Sequence, residues 1–336
     1  MDRRAKILIL FALGWGILLH PSFLFAIEIT PFYTQNQSPV VRIFGLPSIG
    51  DAALVPARKA DVRLLVDWAN NYVDESNQSE QILLDGESVR TALDARYGIS
   101  RDFEVGVVVP FIYDSGGILD GFIDWFHDTF GFSGGGRDQA PKNRLLYQYE
   151  KNGVVLLHMN DSGSGLGDLR LNAGWQVYGG SNEPSAIALR ASLKLPTGDS
   201  NRLKGSGSTD LAVWAVGSRD FKVGSGHLAL FGAAGGMGMT DGDVLTDQQR
   251  NLVAFGALGF GWSPVRWFAL KIQANGHTAF YKDSGLDALS GDSVQLTLGG
   301  SFAFSQHTTL DIGVTEDIII RTSPDVVFHF DLRHRF

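Results

Sequence analysis

The densest cluster of potential ligands in this sequence lies in residues 117–130, where Asp120, Asp124, His127 and Asp128 recur three and four residues apart. Carboxylates one helical turn apart suit a hard cation. The spacing matches no specific metal loop, and a solvated polar helix face explains it without a ligand. His277 sits between Gly276 and Thr278 with the parity of an inward-facing strand residue, and a packed histidine accounts for it as well as a base does. No serine–histidine hydrolase signature is present. Gly165-Leu166-Gly167-Asp168 lacks the lysine and the strand-to-helix context of a phosphate loop. The chain has no cysteine, which excludes disulfides and thiolate metal sites, and its net charge of −8 argues against nucleic acid. The expectation is a protein without catalytic residues, cofactor or metal.

A second set of polar groups recurs at alternate positions: Arg63, Asp67, Arg90, Asp94, Arg170, Arg190, Lys194, Lys271, Gln273, His277, Asp311 and Arg333. Each lies in a segment whose other parity is apolar. Ala60, Val62, Leu64, Val66 and Trp68 alternate with Asp61, Arg63 and Asp67; Phe268, Leu270, Ile272 and Ala274 alternate with Lys271, Gln273 and Asn275. Such period-two patterning makes strands with two unlike faces. The segments run roughly 9 to 13 residues, the length a tilted strand needs to cross a bilayer, against about 5 to 6 in ordinary sheets. Aromatic residues such as Trp68, Tyr97, Trp175, Trp262 and Phe302 gather near their ends, as in an interfacial girdle. A mean hydropathy of +0.02 fits strands with one face to lipid and one to a lumen.

The expected fold is therefore all-β: a transmembrane antiparallel up-and-down β-barrel of about 12 strands, with 14 as the alternative. It carries one amphipathic helix in an extracellular loop. The two counts differ by the pair 143–150 and 154–158 around Lys151-Asn152-Gly153, which reads best as a hairpin extending the longest loop. Short links, such as 98–102, 219–225, 263–266 and 305–308, alternate with longer ones, such as 70–86, 114–168, 240–250 and 282–292. Short periplasmic turns and long outside loops give that rhythm.

The ends of the chain set the compartment. Arg3, Arg4 and Lys6 precede an apolar run from Ile7 to Leu19, then Pro21 and Ala26, the layout of a secretory signal peptide over residues 1–26. Residues 27–58 contain Pro31, Pro39, Pro47 and Pro56, too many for a membrane strand, and read as a periplasmic segment or a plug. Residues 59–336 form the barrel, with 114–167 its long loop. Within that loop Leu119, Phe122, Ile123 and Phe126 share a helix face opposite Asp120, Asp124, His127 and Asp128, a candidate gate helix over residues 117–130. Val326, Phe328, Phe330, Leu332 and the terminal Phe336 share one strand face.

An alternating last strand ending in Phe336 resembles the terminal signal of Gram-negative outer-membrane proteins, which the barrel-assembly machinery reads. Leu193-Lys-Leu-Pro-Thr-Gly-Asp199 and Gly165-Leu-Gly-Asp168 resemble segments of outer-membrane barrels that take up fatty acids and aromatic hydrocarbons. Val41-Arg-Ile-Phe-Gly-Leu-Pro47, the stretch 120–127 and Glu316-Asp317-Ile318 together resemble an uncharacterised proteobacterial outer-membrane family of unknown function. That likeness spans most of the chain beyond residue 26 and transfers no site residues. It implies an outer-membrane location, with membrane lipid, lipopolysaccharide and the assembly machinery as partners. The functional expectation is a passive channel or transporter for small, apolar solutes. A lipid-acting enzyme and a docking barrel with a blocked lumen are the alternatives.

Overall fold

The computed structural model describes residues 27–118, 141–181, 183–224, 226–318 and 322–336. The alternating segments form one antiparallel ring. It runs β1 (Ala60–Ser76), β2 (Glu80–Gly98) and β3 (Phe103–Ser115), then β7 (Arg170–Gly179) and β8 (Ser185–Lys194). It continues through β9 (Asp210–Val223), β10 (Gly226–Met239), β11 (Leu252–Val265) and β12 (Phe268–His277) to β13 (Ser293–Ala303), β14 (Thr308–Asp317) and β15 (Val326–Arg335). β1 pairs with both β2 and β15, so the sheet closes with 12 strands and no free edge. The alternative of 14 membrane strands fails. β4 (Leu146–Lys151) and β5 (Val154–Met159) form a hairpin that pairs only with the outer part of β2, Glu80–Asp85, and the four-residue β6 (Gly163–Leu166) caps the end of β3.

Closure requires one face to suit lipid all the way round. Leu64, Leu93, Phe111, Leu171, Leu189, Val213, Leu230, Leu258, Leu270, Leu298, Ile312 and Phe330 supply one exposed apolar residue from each of the twelve strands. Their neighbours in sequence point inward and are polar over most of the ring.

The structure departs from the sequence reading in the link at 70–86. β1 and β2 stay paired from Ala60↔Tyr97 to Ser76↔Gln81, so most of that supposed loop is a hairpin standing clear of the ring. Tyr72, Val73, Ile82 and Leu84 keep the strand alternation going, and Val73, Ile82 and Leu84 are buried. Gly86, with φ of 153°, marks the branch: Glu87 pairs with β3, whereas Asp85 pairs with β4. The candidate gate-helix residues Leu119, Asp120, Phe122, Ile123, Asp124, Phe126, His127 and Asp128 lie outside the described residues.

The outward face yields a direct test. Leu258→Arg and Leu270→Arg each place a charge on the lipid belt, at a cost of about 2–4 kcal/mol near the bilayer midplane. Val154→Arg, on the hairpin beyond the ring, is expected to be tolerated. Heat-modifiable gel mobility of the membrane fraction measures the folded share: the first two variants lose it and the third keeps it.

Candidate functional site

A 12-strand ring has an interior too wide for wall side chains alone to fill and narrower than that of the large porins. Here residues 27–58 occupy it. Ile27 N–H donates to Arg266 O in a short turn at one end of the barrel (2.8 Å). At the opposite end, Tyr281 Oη–H donates to Val40 O (2.8 Å) and Phe44 stacks on Phe280 at 4.8 Å. The chain then returns, and Arg58 N–H donates to Gly98 O (2.7 Å) at the short-turn end, just before β1 begins. The segment is thus a loop of two extended limbs, with its bend at residues 38–44.

The ascending limb runs alongside β12 at a constant offset of 241 residues. Lys271 Nζ donates to Thr30 O, Gln273 brackets the N–H and C=O of Phe32, Asn275 donates to Thr34 Oγ1, and Asn36 Nδ2 lies 3.0 Å from His277 Nε2. Alternate polar residues of β12 point inward and meet alternate residues of the limb. This gives the proline-bearing limb a substitute for a backbone ladder. Asn36 is oriented by accepting Ser38 N–H on its Oδ1, so its Nδ2 faces His277. His277 Nδ1 lies 3.0 Å from Thr278 O, so the partners fit a neutral ring that donates from Nδ1 and accepts at Nε2.

The descending limb is held by charge. Asp51 pairs with Arg63 (3.0 Å) and Arg333 (2.8 Å), which also bind Asp331 and Asp61 respectively. Burial alone raises the pKa of Asp51, but Arg333 and Arg63 outweigh it and hold the carboxyl well below its usual range. Tyr33 lies between two guanidiniums, with Arg63 3.6 Å and Arg96 5.2 Å from its ring centroid. Burial pushes its phenol up to about 12 against the opposing field of Arg63, which keeps it protonated. Gly45 N–H donates to Asp210 (2.6 Å), and a β-carbon on Gly45 would stand 3.0 Å from that of Asp210. Nothing larger fits at that approach without displacement.

The twelve sequence-selected inward residues, Arg63, Asp67, Arg90, Asp94, Arg170, Arg190, Lys194, Lys271, Gln273, His277, Asp311 and Arg333, are all buried in the structure. Ion pairs join Arg90 to Asp67, Arg96 to Asp94, Lys194 to Asp168 and Lys271 to Asp311. Arg170 differs. Its Nη1 and Nη2 donate to Leu46 O and Phe44 O of the plug, and no carboxylate among the described residues is within ion-pair reach. Phe336 is exposed at the short-turn end, its N–H donating to Ala60 O (2.9 Å). Sequence reasoning missed the plug contacts of Tyr33, Asn36, Gly45 and Asp51. The alternation of Thr30, Thr34 and Asn36, matched to Lys271, Asn275 and His277, was the available signal. Among the described residues no group of His, Asp and Glu is arranged to hold a metal ion.

A model of the family described as a protein of unknown function (DUF3187) matches residues 7–336. No curated protein matches the sequence. Among solved structures, the COG4313 outer membrane channel from Pseudomonas putida F1 has a TM-score of 0.54 at 12% identity, over 85% of this chain and 98% of that one. At that identity the likeness speaks for the fold. The P. putida toluene transporter TodX (TM-score 0.35, 8% identity, 82% and 87% covered) and the NanC porin (0.41, 8%, 82% and 97%) are too distant to carry an argument.

The Asp51 anchor makes a measurable claim. Asp51→Asn leaves Arg63 and Arg333 buried with one carboxylate fewer, a loss of about 3–5 kcal/mol. Because the folded-state pKa lies below the unfolded one, the wild-type contribution is complete above about pH 4 and falls away on further acidification. Urea unfolding across pH is expected to show that acid-dependent contribution in the parent and to lose it in Asp51→Asn.

Proposed function

The chain belongs to the DUF3187 family, and from that premise we propose that it is an outer-membrane channel whose lumen is closed by its own residues 27–58. One observation carries this reading. The barrel wall is polar and charged over most of its circumference, yet an inserted segment satisfies it largely through that segment's backbone. A barrel meant only as a scaffold reaches stability more simply with an apolar, side-chain-filled interior, because buried ion pairs are weak stabilisers beside hydrophobic packing. A wall of paired charges instead suits water when the segment is withdrawn.

Both limbs join the short-turn end, so the segment can leave as one loop without threading the strands. Passive diffusion of small solutes then follows, limited by the width of a 12-strand ring. Location in the outer membrane, with lipid and lipopolysaccharide around the belt and assembly through the C-terminal strand, belongs to the same reading. The lumen brings one hydroxyl to an amine, Ser206 Oγ to Lys194 Nζ (2.5 Å), but Asp168 and Asp210 hold the same amine as an ion-pair partner, which sets an enzymatic role behind a channel.

The absence of cysteine permits a clean lock. A Gly45→Cys/Asp210→Cys pair brings β-carbons within reach of a disulfide after a small shift. In planar bilayers the oxidised pair is expected to stay closed and to conduct after reduction. A barrel lacking residues 27–58 is expected to conduct steadily. If that shortened barrel assembles, as shown by heat-modifiable mobility, and passes no small ions, the lumen is blocked by other means and the channel reading falls.

A further inference from the structure

The inner wall is not uniform. Over β8 to β12 it carries an apolar sector formed by Ala188, Trp214, Val216, Phe231 and Ala269, all buried. Ile27, Ile29 and Ile49 of the plug belong to the same buried cluster as Phe231 and Ala269. The rest of the wall is mostly polar and charged, with a smaller apolar patch at Leu65, Ala92 and Val108. The plug's backbone oxygens are taken up by four cations: Arg170 (Leu46 O, Phe44 O), Arg190 (Asp51 O), Lys194 (Ile43 O) and Lys271 (Thr30 O). In return, among the described residues, two wall carboxylates accept plug backbone N–H groups, Asp210 from Gly45 and Glu104 from Val55, and two accept plug side chains, Asp67 from Gln37 and Asp114 from Arg42. The segment filling the lumen therefore presents aliphatic groups to one side and an excess of oxygen acceptors to the other.

We infer that the solute this lumen accepts has the same character: an apolar body bearing a carboxylate, of the size of a small aromatic or aliphatic acid. The inference rests on the displacement of residues 27–58 proposed above and goes on to name what replaces them. The site is centred on Arg170. Its guanidinium has the plug as its hydrogen-bond partner, and its Nε is buried without one, as is Nη2 of Arg90. Both arginines line a cavity of about 20 Å³ at the plug–wall boundary, enough for one water-sized body. Trp214, Leu65 and Val108 line the same cavity, as does Tyr33, whose hydroxyl is also unpartnered. Asp94 lines the cavity too, but Arg96 takes up its carboxylate, which leaves two guanidiniums with unused N–H groups beside an indole and two aliphatic side chains: a receptor for a carboxylate with an apolar tail attached. When the plug withdraws, the cavity opens into the lumen and Arg170 loses its two carbonyl partners together. A carboxylate restores them with charge-assisted hydrogen bonds in bidentate form. A neutral hydrocarbon fills the apolar sector but leaves Arg170 bare, and an ammonium adds a like charge to it.

The experiment uses liposomes carrying the barrel without residues 27–58, after its small-ion conductance has been measured. Uptake of benzoate, benzyl alcohol and benzylammonium is compared at equal concentration. Benzoate is expected to enter faster than benzylammonium by about tenfold or more, the effect of one charge-assisted hydrogen bond, with benzyl alcohol between them. Arg170→Gln is expected to erase that order and Arg170→Lys to retain part of it. In the full-length protein, benzoate is expected to raise the open fraction in bilayers, because it competes with the plug for Arg170. A barrel that conducts small ions but takes up the three solutes equally, or prefers the ammonium, overturns the inference and leaves the channel reading standing. A barrel that conducts nothing overturns both. If Arg170→Gln fails to assemble, the Arg170→Lys variant and the benzoate effect on the full-length protein still decide.

Discussion

The structure depends on one constraint: charges that face inward in a barrel need partners that do not come from lipid. Period-two strands with one apolar face can close only by turning their other face to the axis, and here that face carries arginine, lysine and aspartate. The strands answer part of the demand among themselves, as in Lys271–Asp311 and Arg96–Asp94. The remainder falls to residues 27–58, whose amides and carbonyls reach groups that cross-strand neighbours cannot. Buried polar groups left unpaired are costly, so the wall is met by the plug in the closed barrel and needs water in its place when the plug is withdrawn.

The same constraint explains the asymmetry of the wall. On β10 and β11 the inward residues are alanine, glycine, phenylalanine, valine and methionine, and the plug meets them with isoleucines. On β1, β2 and β15 most inward residues are charged, with Leu65 and Ala92 among them, and the plug meets them with Asp51 and Tyr33. One short segment matches two chemically different surfaces: Ile27, Ile29 and Ile49 pack on the apolar side, Tyr33 and Asp51 reach the charged side, and the backbone serves whichever side needs hydrogen bonds.

The strands, the even count and the inward set from Arg63 to Arg333 were legible because alternation is a local property. Each strand declares both faces within ten residues. The extended β1–β2 hairpin was obscured by Asn70, Asn71 and Asp74, which read as loop residues until their pairing with β2 is seen. The plug was harder. Its prolines argued correctly against a membrane strand but said nothing of where the segment goes. Its partners lie about 241 residues away, and a match at that distance is invisible until topology brings it close. Arg170 was legible as an inward cation, yet nothing in the sequence sets it apart from Arg90 or Arg190. It is singled out because the other inward arginines and lysines among the described residues are paired with carboxylates.

The side-chain ladder between β12 and the ascending limb has a mechanical meaning. Thr30, Phe32, Thr34 and Asn36 are tied to β12 in register, and Val40 is tied to Tyr281 just beyond it. The limb lies lengthwise in the barrel, and its first described residue, Ile27, is at the short-turn mouth. A pull on Ile27 along the barrel axis therefore loads these ties together, in shear, instead of peeling them away one after another. A strap fastened in this way resists tension along the barrel axis far better than it resists competitors arriving at individual rungs.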